Sequence, residues 1–363
     1  PSNRVQVCDP LLKREVIMKL DTDQLETIRY SMLSEPGDAL AHLLFEQFGS
    51  SVSMKLTEPK ALRTVTDFLL EFHPEKLSNL PGLIERFEFR SALIDLEATI
   101  NKATRWGARP VFFSELPGLA NRLADLGDHA PYLVWVAGDP AALELDYAGV
   151  VGTRTPTPTG LNNTSKLVRM LNKPVVSGGA KGIDAASHRS ALDAGLPTIA
   201  FMAGGIDRAY PLENWSLFHE LVRSGGALVS ELAPGTAPSR FRFLQRNRLI
   251  AATSSELYVV QAAYRSGSRN TANAARMLGR EVYAVPGAWS DRACQGTNAM
   301  IQEGLAKAFH LDLRQRFDPE DSRRRVEDAI RNGAKTSIEI AAESGLRLQV
   351  VEQVAKAIEL DGH

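Results

Sequence analysis

Residues 175–192 read VVSGGAKGIDAASHRSAL. A short apolar run enters Ser177-Gly178-Gly179, then Lys181-Gly182, and a helical pattern opens near Ile183. Glycines let backbone N–H groups approach an oxyanion, and a new helix presents unpaired N–H groups and its positive dipole end. Lys181 adds a full charge. The stretch reads either as a phosphate cradle or as a tight turn with no ligand. It is neither GxxxxGK[ST] nor GxGxxG. Strand, glycine turn and helix in succession are the building unit of a doubly wound α/β sheet.

The unit recurs outward in both directions. Short runs, most of them Val-rich, lie at YLVWVAG (132–138), GVVGTR (149–154), PTIAFMAG (197–204), ALVSEL (227–232), ELYVVQAA (256–263) and EVYAVPG (281–287). They are continuous rather than alternating, as strands of a parallel sheet buried on both faces are. Segments such as NTANAARMLG read as crossover helices. The expected fold is therefore α/β, with a Rossmann-like, doubly wound, mainly parallel sheet over residues 104–312. Right-handed crossovers gather the strand C-terminal ends on one rim, where such folds bind ligands. Residues 1–103 read as a helical domain, with apolar spacing of three and four in LETIRYSML and ALAHLLFEQFG. Residues 313–325, LRQRFDPEDSRRR, read as a linker. Residues 326–363 hold three amphipathic helices, the last two spaced around Gly345 like a helix-turn-helix. No wing hairpin follows before His363.

Other strand exits carry related chemistry. Arg265-Ser266-Gly267-Ser268 follows one run and precedes a helix expected near Thr271, with Arg265 and Arg269 as further donors. Gly152-Thr153-Arg154 ends another, and AGGIDRAYP (203–211) reads as a turn. The stretch SRFRFLQRNR (239–248) holds four arginines and two phenylalanines in ten positions. It follows Pro234-Gly235 and Pro238, so it is expected to start as a loop on the same rim. Arginine binds phosphate bidentately and Phe faces stack on bases. A solvated helix face with inward Phe residues is the plainer alternative.

The totals bound the function. With 42 basic and 43 acidic residues the net charge is −1, so any polyanion site must be a local patch. Cys8 and Cys294 have no metal-ligand spacing, and two cysteines in 363 residues fit a reducing, cytoplasmic setting. No apolar run approaches a membrane span. The N-terminus has no signal-peptide pattern, and it opens at Pro1 as a trimmed chain would. HExxH, a Cys/His cluster and GxSxG are absent, so neither a metal nor another cofactor is expected. His188 and His219 read as structural or surface residues. Asp184, Asp207, Glu213 and Glu231 show no convergent acid/base pair. Many donors without a catalyst favour binding over turnover, and the protein is not expected to be an enzyme.

In order along the chain, GVVGTR, VVSGGAKGIDAASHRSAL, AGGIDRAYPLEN, LVSELAPGTAPSRFRFLQRNRLIA, ELYVVQAAYRSGS, GREVYAVPG and QGTNAMIQEG resemble the bacterial DNA-processing protein DprA (Smf) family. The resemblance covers residues 104–310 strongly. It implies a sterile-alpha-motif-like N-terminal domain and a winged-helix-like C-terminal one. It also implies a homodimer that binds and protects single-stranded DNA and loads the recombinase RecA in natural transformation (competence) and homologous recombination. Carried over by position, the implied DNA contacts are Arg154; Ser177, Gly178, Gly179, Lys181 and Gly182; Phe243, Arg246, Asn247 and Arg248; and Ser266, Gly267 and Ser268. Thr153, Lys181 and Leu244-Gln245 depart from the family's usual residues. Two rival readings stand beside it. One is a hydrolase of nucleoside monophosphates using the glycine turns. The other is a duplex reader through the helix-turn-helix, whose second helix is poor in basic residues for a major groove.

Overall fold

Apolar runs that alternate between two cores explain the sheet. In the computed structural model, which describes residues 20–309 and 319–361 apart from Ala209, Gly345 and Arg347, Val134 and Val136 enter one hydrophobic cluster. Trp135 and Ala137 enter a second cluster on the opposite face. Ile199 and Phe201 against Ala200 and Met202 repeat the pattern. Both faces are buried, so polar alternation is lost.

The described residues form two compact units, one ending at Ala308 and the other beginning at Phe309. The first opens with helices α1 (Thr22–Leu33), α2 (Ala39–Ser53), α3 (Pro59–Phe72), α4 (Leu80–Ser91) and α5 (Leu96–Arg105). Asp21 caps α1 in a full capping box with Gln24, and Asp38 caps α2 through the Ala41 N–H. Their own core centres on Tyr30, Leu44, Leu69 and Phe87. Ile28 and Ala103 nevertheless share a cluster with Trp135 and Phe218, so the helices and the sheet that the sequence separates near residue 104 are packed together.

The sheet and its crossovers follow as β1 (Ala108–Val111), α6 (Pro117–Ala124), β2 (Val134–Gly138), β3 (Tyr147–Val151), α7 (Pro158–Leu171), β4 (Val175–Ser177), α8 (Ile183–Asp193), β5 (Thr198–Phe201), α9 (Trp215–Arg223) and β6 (Ala227–Ser230). Then come α10 (Arg240–Thr253), β7 (Ser254–Val259), α11 (Gly267–Met277), β8 (Glu281–Ala284), α12 (Gln295–Gln302) and β9 (Lys307–Ala308). The strand order is β1-β2-β6-β5-β4-β3-β7-β8-β9. From β6 to β9 all neighbours are parallel. The chain winds outward from β3 through β4 and β5 to β6, then crosses back to β7 on the other side of β3. The topological switch point therefore lies between β3 and β7, as in a doubly wound fold. Helices α6, α10, α11 and α12 cover one face; α5 and α9 cover the other.

Three expectations change. The run at 132–138 becomes β2, but it is antiparallel to β6 and to β1. Burial on both faces produced its continuous apolar pattern, and that burial does not depend on direction. β1 (ARPV) and β9 (two exposed residues) carried too little apolar signal to be read. The stretch at 239–248 is helical from Arg240, because Ser239 caps α10 by accepting from the Arg242 N–H at 3.3 Å. Helix α10 passes into β7 with no residue between them.

The second unit holds α13 (Pro319–Arg331), α14 (Ser337–Ser344) and α15 (Leu348–Asp361) around Val326, Ile340, Val351 and Val354. Residues 319–325, expected in a linker, are the first half of α13, with Pro319 at the position where a missing N–H costs least. Thr336 and Glu339 cap α14 reciprocally. Residues 313–318 of the expected linker, together with Cys8, Gly345 and His363, lie outside the described residues.

Candidate functional site

The switch point opens into a cleft of about 950 Å³. Its walls are the exit of β3 at Gly152-Thr153-Arg154, one face of α10, and the exit of β7 running from Ala263 into α11. Arg154, Arg240, Arg246, Arg265 and Arg269 line it, with the aromatic rings of Tyr210, Phe243 and Tyr264. Asp184 is the one carboxylate among the described lining residues. A nearly neutral chain thus concentrates positive charge at the crevice where its fold offers backbone N–H groups.

Arg246 forms the floor. It is 6% exposed, and its Nη1 donates to the Gly178 carbonyl at 2.6 Å and to the Phe201 carbonyl. It therefore ties the C-terminal ends of β4 and β5 to α10. Burial lowers its pKa to about 10, opposed by Asp184, so it stays charged at neutral pH. Burial raises the Asp184 carboxyl above its usual range, while Arg246 and then the Ala180 and Gly152 N–H groups pull it back. The guanidinium also explains the glycine turn. A Cβ at Gly178 would overlap Arg246, so glycine is required for this close approach. Gly182, at φ +82°, meets the Thr153 carbonyl, and a Cβ there would overlap it.

Two guanidinium–ring stacks face the cleft. Arg154 Cζ sits 4.9 Å from the Phe243 centroid, and Tyr210 meets Phe243 edge-on at 5.5 Å. Arg269 Cζ lies 5.0 Å from the Tyr264 centroid while its Nη2 donates to Glu303 at 2.7 Å. Arg154, Arg240 and Arg265 are exposed and make no direct ion pair among the described residues, although Arg154 acts at longer range on Asp184. Helix α11 begins at Gly267, four residues before the expected start, so Ser266-Gly267-Ser268 is its cap and first turn. Its first residues, Gly267 to Thr271, line the cleft, and the N–H groups of a helix's first turn have no intrahelical partner.

Of the thirteen residues expected to contact a ligand, Arg154, Phe243, Arg246, Asn247, Ser266, Gly267 and Ser268 line the cleft. Six do not. Ser177 is fully buried and donates to the Val150 carbonyl at 2.6 Å. The Gly178 carbonyl is taken by Arg246, and Gly179 packs on Phe218. Gly182 is partly exposed but outside the cleft, with its Cα packed against the Thr153 and Arg154 backbone. Lys181 points outside and pairs with Glu213 at 2.6 Å. Arg248 donates to both Glu231 oxygens at 2.7 and 2.9 Å and to the His129 carbonyl at 2.9 Å. Within residues 175–192, Ala180 and Asp184 line the cleft, and the Gly178 carbonyl accepts from the Arg246 guanidinium. The sequence reading missed Tyr210 and Tyr264 as lining residues, while Arg240 entered it as one of the four arginines of 239–248. An aromatic next to a basic residue at a strand exit, as in Tyr264-Arg265, was the available signal.

His188 is buried; its Nδ1 meets Thr198 Oγ1 at 2.7 Å, and burial lowers its pKa to about 3, so it is a neutral core residue. Among the described residues no group of three or more His, Cys, Asp or Glu could hold a metal ion. No described helix is long and apolar enough to cross a membrane.

An open, mostly parallel sheet with an arginine- and aromatic-lined crevice at its switch point defines a Rossmann-like protein. Comparison with known proteins gives the family. The model of DNA recombination-mediator protein A matches residues 113–315, more than half of the chain, which therefore belongs to that family. The chain is 39% identical over 281 residues to DNA processing protein DprA of Bacillus subtilis, covering 74% of this chain and 86% of the relative. It is 41% identical over 206 residues to a protein of Mycobacterium tuberculosis named as a DNA processing protein DprA, covering 55% of this chain. There the match spans about half of the relative's length, 52%. The X-ray structure of DprA from Streptococcus pneumoniae aligns with a TM-score of 0.61 at 28% identity, over 80% of this chain and 95% of that one. These names describe DNA processing and recombination mediation and specify no catalysed reaction.

Proposed function

We propose that the protein binds single-stranded DNA in this cleft, shields it, and delivers it to a RecA-type recombinase in natural transformation and homologous recombination. The observation that carries the reading is the convergence of five arginines and three aromatic rings on one crevice with a single carboxylate. Guanidinium groups neutralise phosphates, and ring faces stack bases of any identity, so sequence preference is slight. Duplex DNA hides its base faces and loses the stacking term. The protein acts in the cytoplasm as a homodimer, which joins two clefts along one strand and gains from effective concentration. The N-terminal helices act as a sterile-alpha-motif-like domain, and the winged-helix-like second unit serves protein contact.

Fluorescence anisotropy with a labelled oligonucleotide and its duplex, each at several salt concentrations, tests this. The expected outcome is tight, salt-sensitive binding to the single strand and weak binding to the duplex. Failure to bind a single strand at low salt overturns it. Release of base or ribose phosphate from added nucleotides, without strand binding, would favour the nucleotide-processing reading instead.

A further inference from the structure

Helix α10 has two working faces. Phe243, Arg246, Asn247 and Ile250 line the cleft. Arg242, Gln245 and Arg248, three residues apart, lie on the other side and meet the N-terminal helices and the segment before β2. Between α1 and α2, Glu35 accepts from Arg242 Nε at 3.4 Å and from Arg242 Nη2 at 3.2 Å. Glu35 also accepts from Arg90 Nη2, while Arg90 Nη1 donates to the Leu33 and Ser34 carbonyls at 3.1 and 2.7 Å. Arg90 thus fixes the 33–35 turn, and the turn fixes Arg242. Two residues on, the Gly37 carbonyl meets His129 Nδ1 at 2.8 Å, and the His129 carbonyl accepts from Arg248. A Cβ at Gly37 would stand 2.7 Å from Gln245 Oε1, so the loop lies directly on the helix. The Glu35 and Arg242 side chains are 23% and 21% exposed, which partly shields the pair from solvent.

The geometry points to Glu35 as a positioning residue of the DNA cleft: through Arg242 it sets the placement of α10, and with it Phe243 and Arg246. This rests on the reading of the cleft as a single-strand site. Neither Glu35 nor Arg242 lines the cleft, so both act without touching DNA. The N-terminal helices are then part of the binding apparatus rather than an appended module.

The test uses Glu35→Gln, Arg242→Gln and the double variant in the full chain, with single-strand affinity at several salt concentrations and hydrogen exchange of α10 in free protein. Each single variant is expected to weaken binding about 3- to 10-fold, at the low end of couplings within one ion-pair network. The slope of affinity against salt stays unchanged, because no phosphate contact is removed. The double variant binds no more weakly than either single one, and α10 amides exchange faster in all three. Wild-type affinity in both single variants overturns the inference. So does a reduced salt slope, which would make these residues direct contacts, or additive losses, which would make them independent. If the wild-type protein binds no single strand, the proposed function falls, and hydrogen exchange alone decides the positioning: unchanged α10 protection in the variants overturns it and faster exchange supports it.

Discussion

Arginine plays three separable parts within a few residues of α10. Arg246 is buried and spends its donors on two backbone carbonyls. Arg246→Ala leaves those carbonyls without their donor and the buried Asp184 carboxyl without the positive charge that holds its pKa down, so a loss of about 3 kcal/mol or more is expected in denaturant unfolding. Arg248 holds Glu231 and His129, and Arg248→Ala lowers stability but leaves the salt slope of strand binding unchanged, because it removes no phosphate contact. Arg154 is exposed, and Arg154→Ala weakens strand binding and lowers the salt slope by about 1. Lys181→Ala costs less than about threefold in affinity, since a lysine held on an exposed carboxylate outside the cleft adds little. Two titrating groups add a pH dependence. Burial would raise the Glu35 carboxyl, but Arg90 and then Arg242 hold it below its usual value. Its contribution is therefore full above the ordinary carboxylate range and is lost only as pH falls through the depressed value. His188, lowered to about 3, favours folding above the ordinary histidine range, and that contribution declines between about pH 6.5 and 3. An NMR titration should find its ring signals flat from pH 8 to 5; a midpoint near 6.5 would contradict its burial.

At the scale of elements, the strand–turn–helix units were readable because each announces itself with apolar residues, glycine and a polar helix start. Those units place Arg154 and Ser266 to Ser268 on one rim, and α10 sets Phe243 and Arg246 beside them. What glycine cannot announce is its neighbour. Gly178 signals a close approach to backbone, and the group that makes it is the guanidinium of Arg246, which lies 68 residues away in sequence. The cap at Ser239 was equally hard to read beside Pro238, yet it starts α10. Ser239→Ala should cost about 1 kcal/mol of stability by thermal or chemical unfolding, as loss of an N-cap oxygen does. If that change lowers strand affinity with no change in stability, Ser239, which lines the cleft, acts on the ligand instead.

For the whole molecule, strand direction was the illegible part. A run buried on both sides reads alike in either orientation, so β2 was placed in the sheet without its antiparallel pairing to β6. The division at Ala308 and Phe309 predicts that residues 1–308 alone retain single-strand affinity, measured by the same anisotropy titration. A tenfold loss would assign part of the site to the second unit. One feature of the first unit reaches further. Ser254 is both the C-cap of α10, its N–H donating to the Ile250 carbonyl, and the first residue of β7. The chain has no slack between the cleft wall and the sheet, so the wall inherits the stiffness of the strands beneath it. The C-terminal end of this wall is thus placed by the sheet as the protein folds, and its share of the entropic cost of shaping the site is met before any ligand arrives. The first encounter of a strand with a single cleft is then expected to rise in proportion to strand concentration, governed by diffusion and charge.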